Sequence, residues 1–241
     1  MKANLFLLAS LCSGGALVSA LPSDNAILVL YDGTTKTIDK RDLNAHLPGV
    51  SLSPPTDSLP KSIETGNGKP SPSTRLSKRA DTQIIIPLPD EEFLGWDIAM
   101  STIVHANEAE ATVAMAQGQM LANGITVGTS FQATVEAFLQ IGTSIDYTHT
   151  ETATLTGTVT MTIPGNRWGA IVSNPLTFRK KGYVFSGRPG TAQYEYYQAD
   201  SFTHETYSYG ENSLSWVKGV VTTCLGDAYP LQRCVGEGDL K

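Results

Sequence analysis

Eight threonines occupy every second position from 148 to 162: Thr148, Thr150, Thr152, Thr154, Thr156, Thr158, Thr160 and Thr162. The odd positions among them read Tyr147, His149, Glu151, Ala153, Leu155, Gly157, Val159, Met161 and Ile163. Side chains alternate across a strand, so this period of two lays a hydroxyl stripe on one face and an increasingly apolar series on the other. A helix would scatter the threonines around its circumference, and their stiff χ1 disfavours helix in any case. The stretch 141–163 therefore reads as extended chain with two different surroundings. Its 23 residues, at about 3.3 Å each, would span roughly 75 Å, beyond the usual strand. It must bend, at Gly157 or Gly142, or belong to an elongated molecule.

The flanking sequence predicts more short strands. Residues 84–88, 93–104 and 120–131 are β-rich, the last with Leu121, Ile125, Val127 and Phe131 on one face. Residues 133–140 are the best helix candidate, and 108–116 could be a second short helix on propensity. Pro164-Gly165 with Asn166 is a type II turn signal. Beyond it lie short runs at 168–173, 182–186, 192–198, 202–209 and 213–223, punctuated by Asn174-Pro175, Arg188-Pro189-Gly190 and Ala199-Asp200. The expected fold is mainly β, an antiparallel sheet or sandwich with one or two short helices.

The start of the chain has the layout of a secretory signal peptide over residues 1–20: Lys2, an apolar run, and small residues before a cut at Ala20. Localisation is therefore expected to be secreted and extracellular. Two dibasic pairs follow, Lys40-Arg41 and Lys78-Arg79. The second closes a Pro/Ser/Thr/Gly-rich stretch that cannot bury enough apolar surface to fold by itself. Residues 21–79 read as a largely disordered prosegment, cut after Arg79 and poorly packed against the rest. Residues 80–241 read as the mature β domain.

Charge separates these parts. Residues 80–241 carry 8 Lys+Arg against 17 Asp+Glu, a net of −9, and no Lys or Arg lies between 80 and 166. Such a domain repels phosphate backbones, which argues against nucleic acid and against electrostatic attachment to anionic membranes. Cys224 and Cys234 are an even pair in an oxidising compartment, so one disulfide is expected.

A resemblance adds to this reading. Phe93-Leu94-Gly95-Trp96-Asp97, Gly165 with Trp168-Gly169-Ala170-Ile171-Val172-Ser173-Asn174-Pro175, Ala199-Asp200-Ser201, Leu214-Ser215-Trp216-Val217, and the segment from Cys224 through Asp227-Ala228-Tyr229-Pro230 to Arg233-Cys234 and Gly236-Glu237-Gly238 are similar to a group of small secreted fungal effector-like proteins. The likeness covers most of 93–240 and implies a secreted, host-directed protein; it brings no catalytic residues. A looser resemblance is to aerolysin-like β-pore-forming proteins, which are elongated and carry a Ser/Thr-rich segment that refolds into a transmembrane hairpin. Residues 120–131 and 141–163 would be its arms, with the threonines facing the lumen.

Motifs for enzyme chemistry are sparse. There is no Gly-X-Ser-X-Gly elbow, no His-Glu-X-X-His and no phosphate-binding glycine loop. His149 with Glu151, or His204 with Glu205, offers two groups and not a site. A carbohydrate-active enzyme built on distant carboxylates such as Asp146 and Glu195 stands as the third reading. Arg179-Lys180-Lys181, the only basic run of the mature part, suits an exposed turn or an edge guard. Trp96, Trp168, Tyr194, Tyr196 and Tyr197 are candidate contact aromatics for a host or cell-surface protein or glycan. No cofactor or metal is expected. Binding comes first among these readings, and membrane contact belongs to the pore-forming alternative alone.

Overall fold

The computed structural model describes residues 20–21, 26–55, 63–64, 83–143, 145–147, 149–187 and 193–240. The chain is mainly β, with two short α-helices among the described residues. It opens with β1 (Ala20–Leu21), the hairpin β2 (Ala26–Tyr31) and β3 (Thr34–Asp39), a 3-10 turn (Lys40–Asp42), α1 (Leu43–His46) and β4 (Ile63–Glu64). Seven short strands follow: β5 (Gln83–Pro87), β6 (Glu91–Leu94), β7 (Ile98–Ala99), β8 (Val104–Ala106), β9 (Ala111–Ala114), β10 (Met120–Ala122) and β11 (Gly124–Thr126). After α2 (Gln132–Gly142) come β12 (Thr150–Thr152), β13 (Thr154–Thr156) and β14 (Thr160–Ile163). The long strands close the chain: β15 (Arg167–Ser186), β16 (Gln193–Phe202), β17 (His204–Tyr209), β18 (Asn212–Val217) and β19 (Gly219–Gly226).

β15 is the spine. Its 20 residues span roughly 65 Å at about 3.3 Å each, and its partners change along the way. On one side it pairs with β19 from Trp168 to Pro175 and then with β16 from Thr177 to Ser186. On the other it takes β8, β7, β6 and β5 in turn. Asn174-Pro175 is thus no strand end. Pro175 sits where the partners on both sides change over, so its missing N–H removes no bond from a continuous ladder. Opposite it, Gly219 has φ 148°, and a Cβ there would lie 2.3 Å from the Asn174 carbonyl oxygen. Only glycine lets the two backbones meet, which splits the expected strand 213–223 into β18 and β19.

The main sheet runs β11-β16-β15-β19-β2-β3-β17-β18-β13. The threonine stretch supplies three strands with three different partners: β12 pairs with β10, β13 with β18, and β14 with β9. The alternation is kept, since Glu151, Ala153, Leu155, Val159, Met161 and Ile163 are buried while Thr150, Thr152, Thr154, Thr156 and Thr158 are exposed. Thr160 is buried and Thr162 half-buried, and Thr148 lies outside the described residues. The break comes at Gly157, whose φ is +94° and whose missing Cβ makes room for the Asn212 side chain.

The apolar side of this stretch joins Leu28, Leu30, Ile171, Tyr207, Leu214, Trp216 and Val221 in the largest core. A second core lies on the other face of β2, where Ile27 and Val29 meet Ile38, Leu43, Leu47, Leu94 and Val220. α2 covers one face of β15 and β16 through Phe131, Val135 and Leu139 against Val184, Tyr197 and Ala199. Residues 108–116, read as a short helix, instead contain β9, held between β14 and the core by Val113 and Met115. In the turn before β15, Asn166 and not Gly165 takes the left-handed conformation, at φ 63°. The expectation that residues 1–79 pack poorly against the rest fails for 26–55: β2 is buried on both faces and sits inside the main sheet.

Candidate functional site

The odd-numbered residues of β15 build a stripe along one sheet face. Tyr183 stands opposite Tyr196 on β16 and Ile86 on β5; Phe185 stands opposite Tyr194 and Ile84. The Tyr183 and Tyr196 rings are 5.7 Å apart at 69°, and Phe185 and Tyr194 are 5.1 Å apart at 60°, both edge-to-face. Ile84 and Ile86 are 49% and 42% exposed, which is unusual for isoleucine on a sheet. Along β15 the same face continues into Arg179, whose guanidinium lies 4.8 Å from the Phe93 ring centre and 5.8 Å from that of Trp96. Trp96 is 40% exposed, so the stripe ends on an accessible indole.

Charge fixes this surface in place. Arg179 donates two hydrogen bonds to the Asp200 carboxylate, at 2.6 and 2.7 Å, across β15 and β16. Lys181 pairs with Glu91, and Lys180 with Asp90 at 2.8 Å. The basic run is therefore the middle of a central strand with an acid against each cation, neither an exposed turn nor an edge guard. Burial raises the Tyr196 hydroxyl above its ordinary pKa, with the Arg179 charge opposing the shift.

The other candidate aromatics fall elsewhere. Tyr197 points to the opposite face, is 1% exposed and packs under α2, so its ring cannot meet a partner. Burial pushes its hydroxyl up to about 12. Trp168 is fifteen residues along β15 from Tyr183, roughly 50 Å away. It is stacked between His105, at 4.6 Å, and Tyr229, at 5.0 Å. Sequence reasoning missed Ile84, Ile86, Tyr183 and Phe185; the period of two in 183–185 and 194–196 was the available signal.

On the face bearing the threonines, hydroxyls from neighbouring strands line up. Thr156 meets Ser213 at 2.6 Å, and Thr206 meets Ser215 at 3.0 Å. Ser215 Oγ also lies 3.1 Å from His204 Nε2, while His204 Nδ1 is 3.0 Å from Glu151 and His149 Nε2 is 3.1 Å from its other oxygen. With Glu151 accepting from both imidazoles, His204 Nε2 accepts from Ser215 and Thr206 donates to Ser215. That order matches a serine nucleophile with its base and orienting acid. Ser215, however, sits mid-strand between β13 and β17, so its N–H is committed to a ladder and offers no oxyanion donor. The chain fastens β12 to β17 through Glu151, 7% exposed.

The disulfide joins Cys224 and Cys234. Beside it Asp97, 2% exposed, accepts from Asn174 Nδ2 at 2.7 Å and from the backbone N–H groups of Cys234 and Val235 at 2.6 and 2.9 Å. Residues quoted for the effector-like resemblance thus meet around the buried Asp97 carboxylate, a scaffold role. Asp97 and the two sulfurs form a tight cluster of metal-ligand type, and its sulfurs are spent on each other.

A cleft of about 470 Å³ lies between α2 and the chain after it, lined by Ile125, Gln132, Glu136, Gln140, Thr143, Ile145, Asp146 and Tyr147. Glu195 is not part of it; its carboxylate lies over the Gly128 backbone instead. Of the processing residues, Lys40 and Arg41 lie in the 3-10 turn, and Lys78 and Arg79 lie outside the described residues. No protein-family model matches this chain, and no curated protein sequence matches it either.

Proposed function

We propose that this is a secreted, effector-like binding protein without enzymatic activity, matured by cleavage after Lys78-Arg79, that engages a host or cell-surface protein. The observation supporting it is the stripe of Ile84, Ile86, Tyr183, Phe185, Tyr194, Tyr196 and Trp96, whose reverse side is covered by α2. Exposed isoleucines beside half-buried tyrosines, with a largely buried Arg179–Asp200 pair alongside, have the make-up of a protein-contact patch. A sugar-binding platform would present ring faces; these rings stand edge-on to each other, which favours a protein over a glycan. The test is saturable binding of labelled protein to intact target cells. Tyr194→Ser with Ile84→Thr should weaken it at least about tenfold, a loss typical of a hot spot, while Trp168→Ala leaves it unchanged. Equal binding by all three proteins contradicts the reading.

A membrane-active reading has one observation in its favour. Residues 111–122 and 150–163 run antiparallel, with Ala153, Leu155, Val159, Met161 and Ile163 on one side. These are not the expected arms 120–131 and 141–163, because β11 pairs with β16 and Gln132–Gly142 is helical. A barrel strand needs an apolar face over about 9–11 residues. The second paired segment supplies it; the first is interrupted between Ala114 and Met120, where Gln117 and Gln119 fall. Dye release from liposomes with heat-resistant oligomers would support this alternative, and intact liposomes would remove it.

A further inference from the structure

We propose that residues 26–55 are a permanent part of the β domain, and that a cut after Arg79 yields a two-chain protein in which this segment stays bound. The inference rests on the processing step above only for the cut; the docking is read from the fold. β2 and β3 lie between β19 and β17, and no other described strand joins those two. Val29 pairs with Val220, Leu28 with Val221 and Leu30 with Gly219. On the far side Ser208 pairs with Thr34, Thr35 Oγ1 donates to the Ser208 carbonyl at 2.7 Å, and Gly33 N–H donates to Glu205 at 2.8 Å.

Taking this hairpin out would remove the strands between β19 and β17, leaving the two halves to meet at Lys218, whose N–H donates to Thr203 and whose carbonyl accepts from Leu176. It would also strip apolar cover from two cores at once. Leu28 and Leu30 are 1% and 0% exposed in the first; Ile27, Val29, Ile38, Leu43 and Leu47 are between 2% and 8% exposed in the second. Further along, Ser51 brackets β6, its N–H donating to Glu92 at 3.1 Å and its carbonyl accepting from Leu94 at 2.8 Å. Lys218 reaches both Asp32, at 3.0 Å, and Glu205, at 2.9 Å, and so ties the hairpin turn to β17. A disposable prosegment would not place a strand in the middle of the sheet it leaves.

The experiment takes the full secreted chain, with its cut state read by intact mass. If it leaves the cell uncut, the processing step falls, and a protease specific for paired basic residues makes the cut in vitro. The cut protein is then run on a sizing column under native conditions and on a denaturing gel. The expected result is one native species that separates into two chains, in equal molar amounts, only on denaturation. A Leu28→Asp, Leu30→Asp chain, folded and cut in the same way, should lose at least tenfold more of the N-terminal fragment on dilution. Recovery of 80–241 alone, as a monomer with unchanged circular dichroism, overturns the proposal.

Discussion

Arg179 and Asp200 face each other across β15 and β16 with two short hydrogen bonds, and the guanidinium is roofed by Phe93 and Trp96. The Arg179 side chain is 7% exposed and that of Asp200 21%. Burial alone would lower the Arg179 pKa, but the Asp200 contacts prevail and raise it. Asp200→Ala leaves the cation buried without its partner and should cost about 3–5 kcal/mol. Replacing both residues with apolar ones of similar volume should cost far less. Urea unfolding of the single and double variants checks this, and an equal loss in both would show that the pair is worth only its volume.

The threonine stretch makes a two-sided prediction. Leu155 pairs with Leu214 on the core side, while Thr154 on the same strand is exposed. Leu155→Ala should destabilise by about 2–5 kcal/mol, and Thr154→Ala should stay within about 0.5 kcal/mol. Gly157→Ala should cost about 1–3 kcal/mol from backbone strain, since φ is +94° and the Asn212 side chain fills the space a Cβ would need. Thermal unfolding of the three variants ranks them.

Alkaline pH should loosen the fold through its buried phenols. Tyr197 is pushed up to about 12 by burial, and Tyr207 is raised as well, from an ordinary value of 10.0. A raised folded value means the neutral form is the one the native state favours. The contribution is therefore complete below pH 10.0 and is lost as pH rises towards about 12 for Tyr197. Stability measured across that window should fall, and Tyr197→Phe should flatten part of the decline. An identical decline in the variant would assign the loss to other groups.

If the chain is cut after Lys78-Arg79 as proposed, Lys40-Arg41 should resist the same protease. Its backbone is a 3-10 turn capped by Asp39, which accepts from Arg41 N at 2.9 Å and binds the guanidinium at 3.0 and 2.9 Å. Processing proteases bind extended chain, as in strand addition. N-terminal sequencing of the secreted protein should find no chain starting at Asp42, and Asp39→Ala should raise cutting there.

Side-chain period was legible in the sequence; pairing was not. The alternation assigns an exposed hydroxyl face correctly from Thr150 to Thr158, because burial acts on each residue separately, but fails at Thr160, which lies in a strand paired on both sides and is buried. Nothing in that alternation marks a change of partner at Gly157, or says that Leu155 meets Leu214. For the same reason Asn174-Pro175 reads as a break, although a long strand absorbs it where both ladders change over. Arg179-Lys180-Lys181 reads as a solvated turn or edge guard because its acids lie 21–90 residues away. Ala26–Tyr31 was visible as a strand, with apolar residues on both sides, and that pattern belongs to a central strand. Its neighbours, β19 and β3, are set by tertiary packing. Of the candidate site, Tyr194, Tyr196 and Trp96 were within reach of the sequence, while the isoleucines of β5 needed the register.

The most direct measurement is the affinity of the purified protein for the surface of target cells, with and without prior protease treatment of those cells. The account predicts saturable binding that disappears with cell-surface protein and drops at least about tenfold in the Tyr194→Ser, Ile84→Thr protein. Binding that survives both treatments, or follows Trp168 instead, would contradict it.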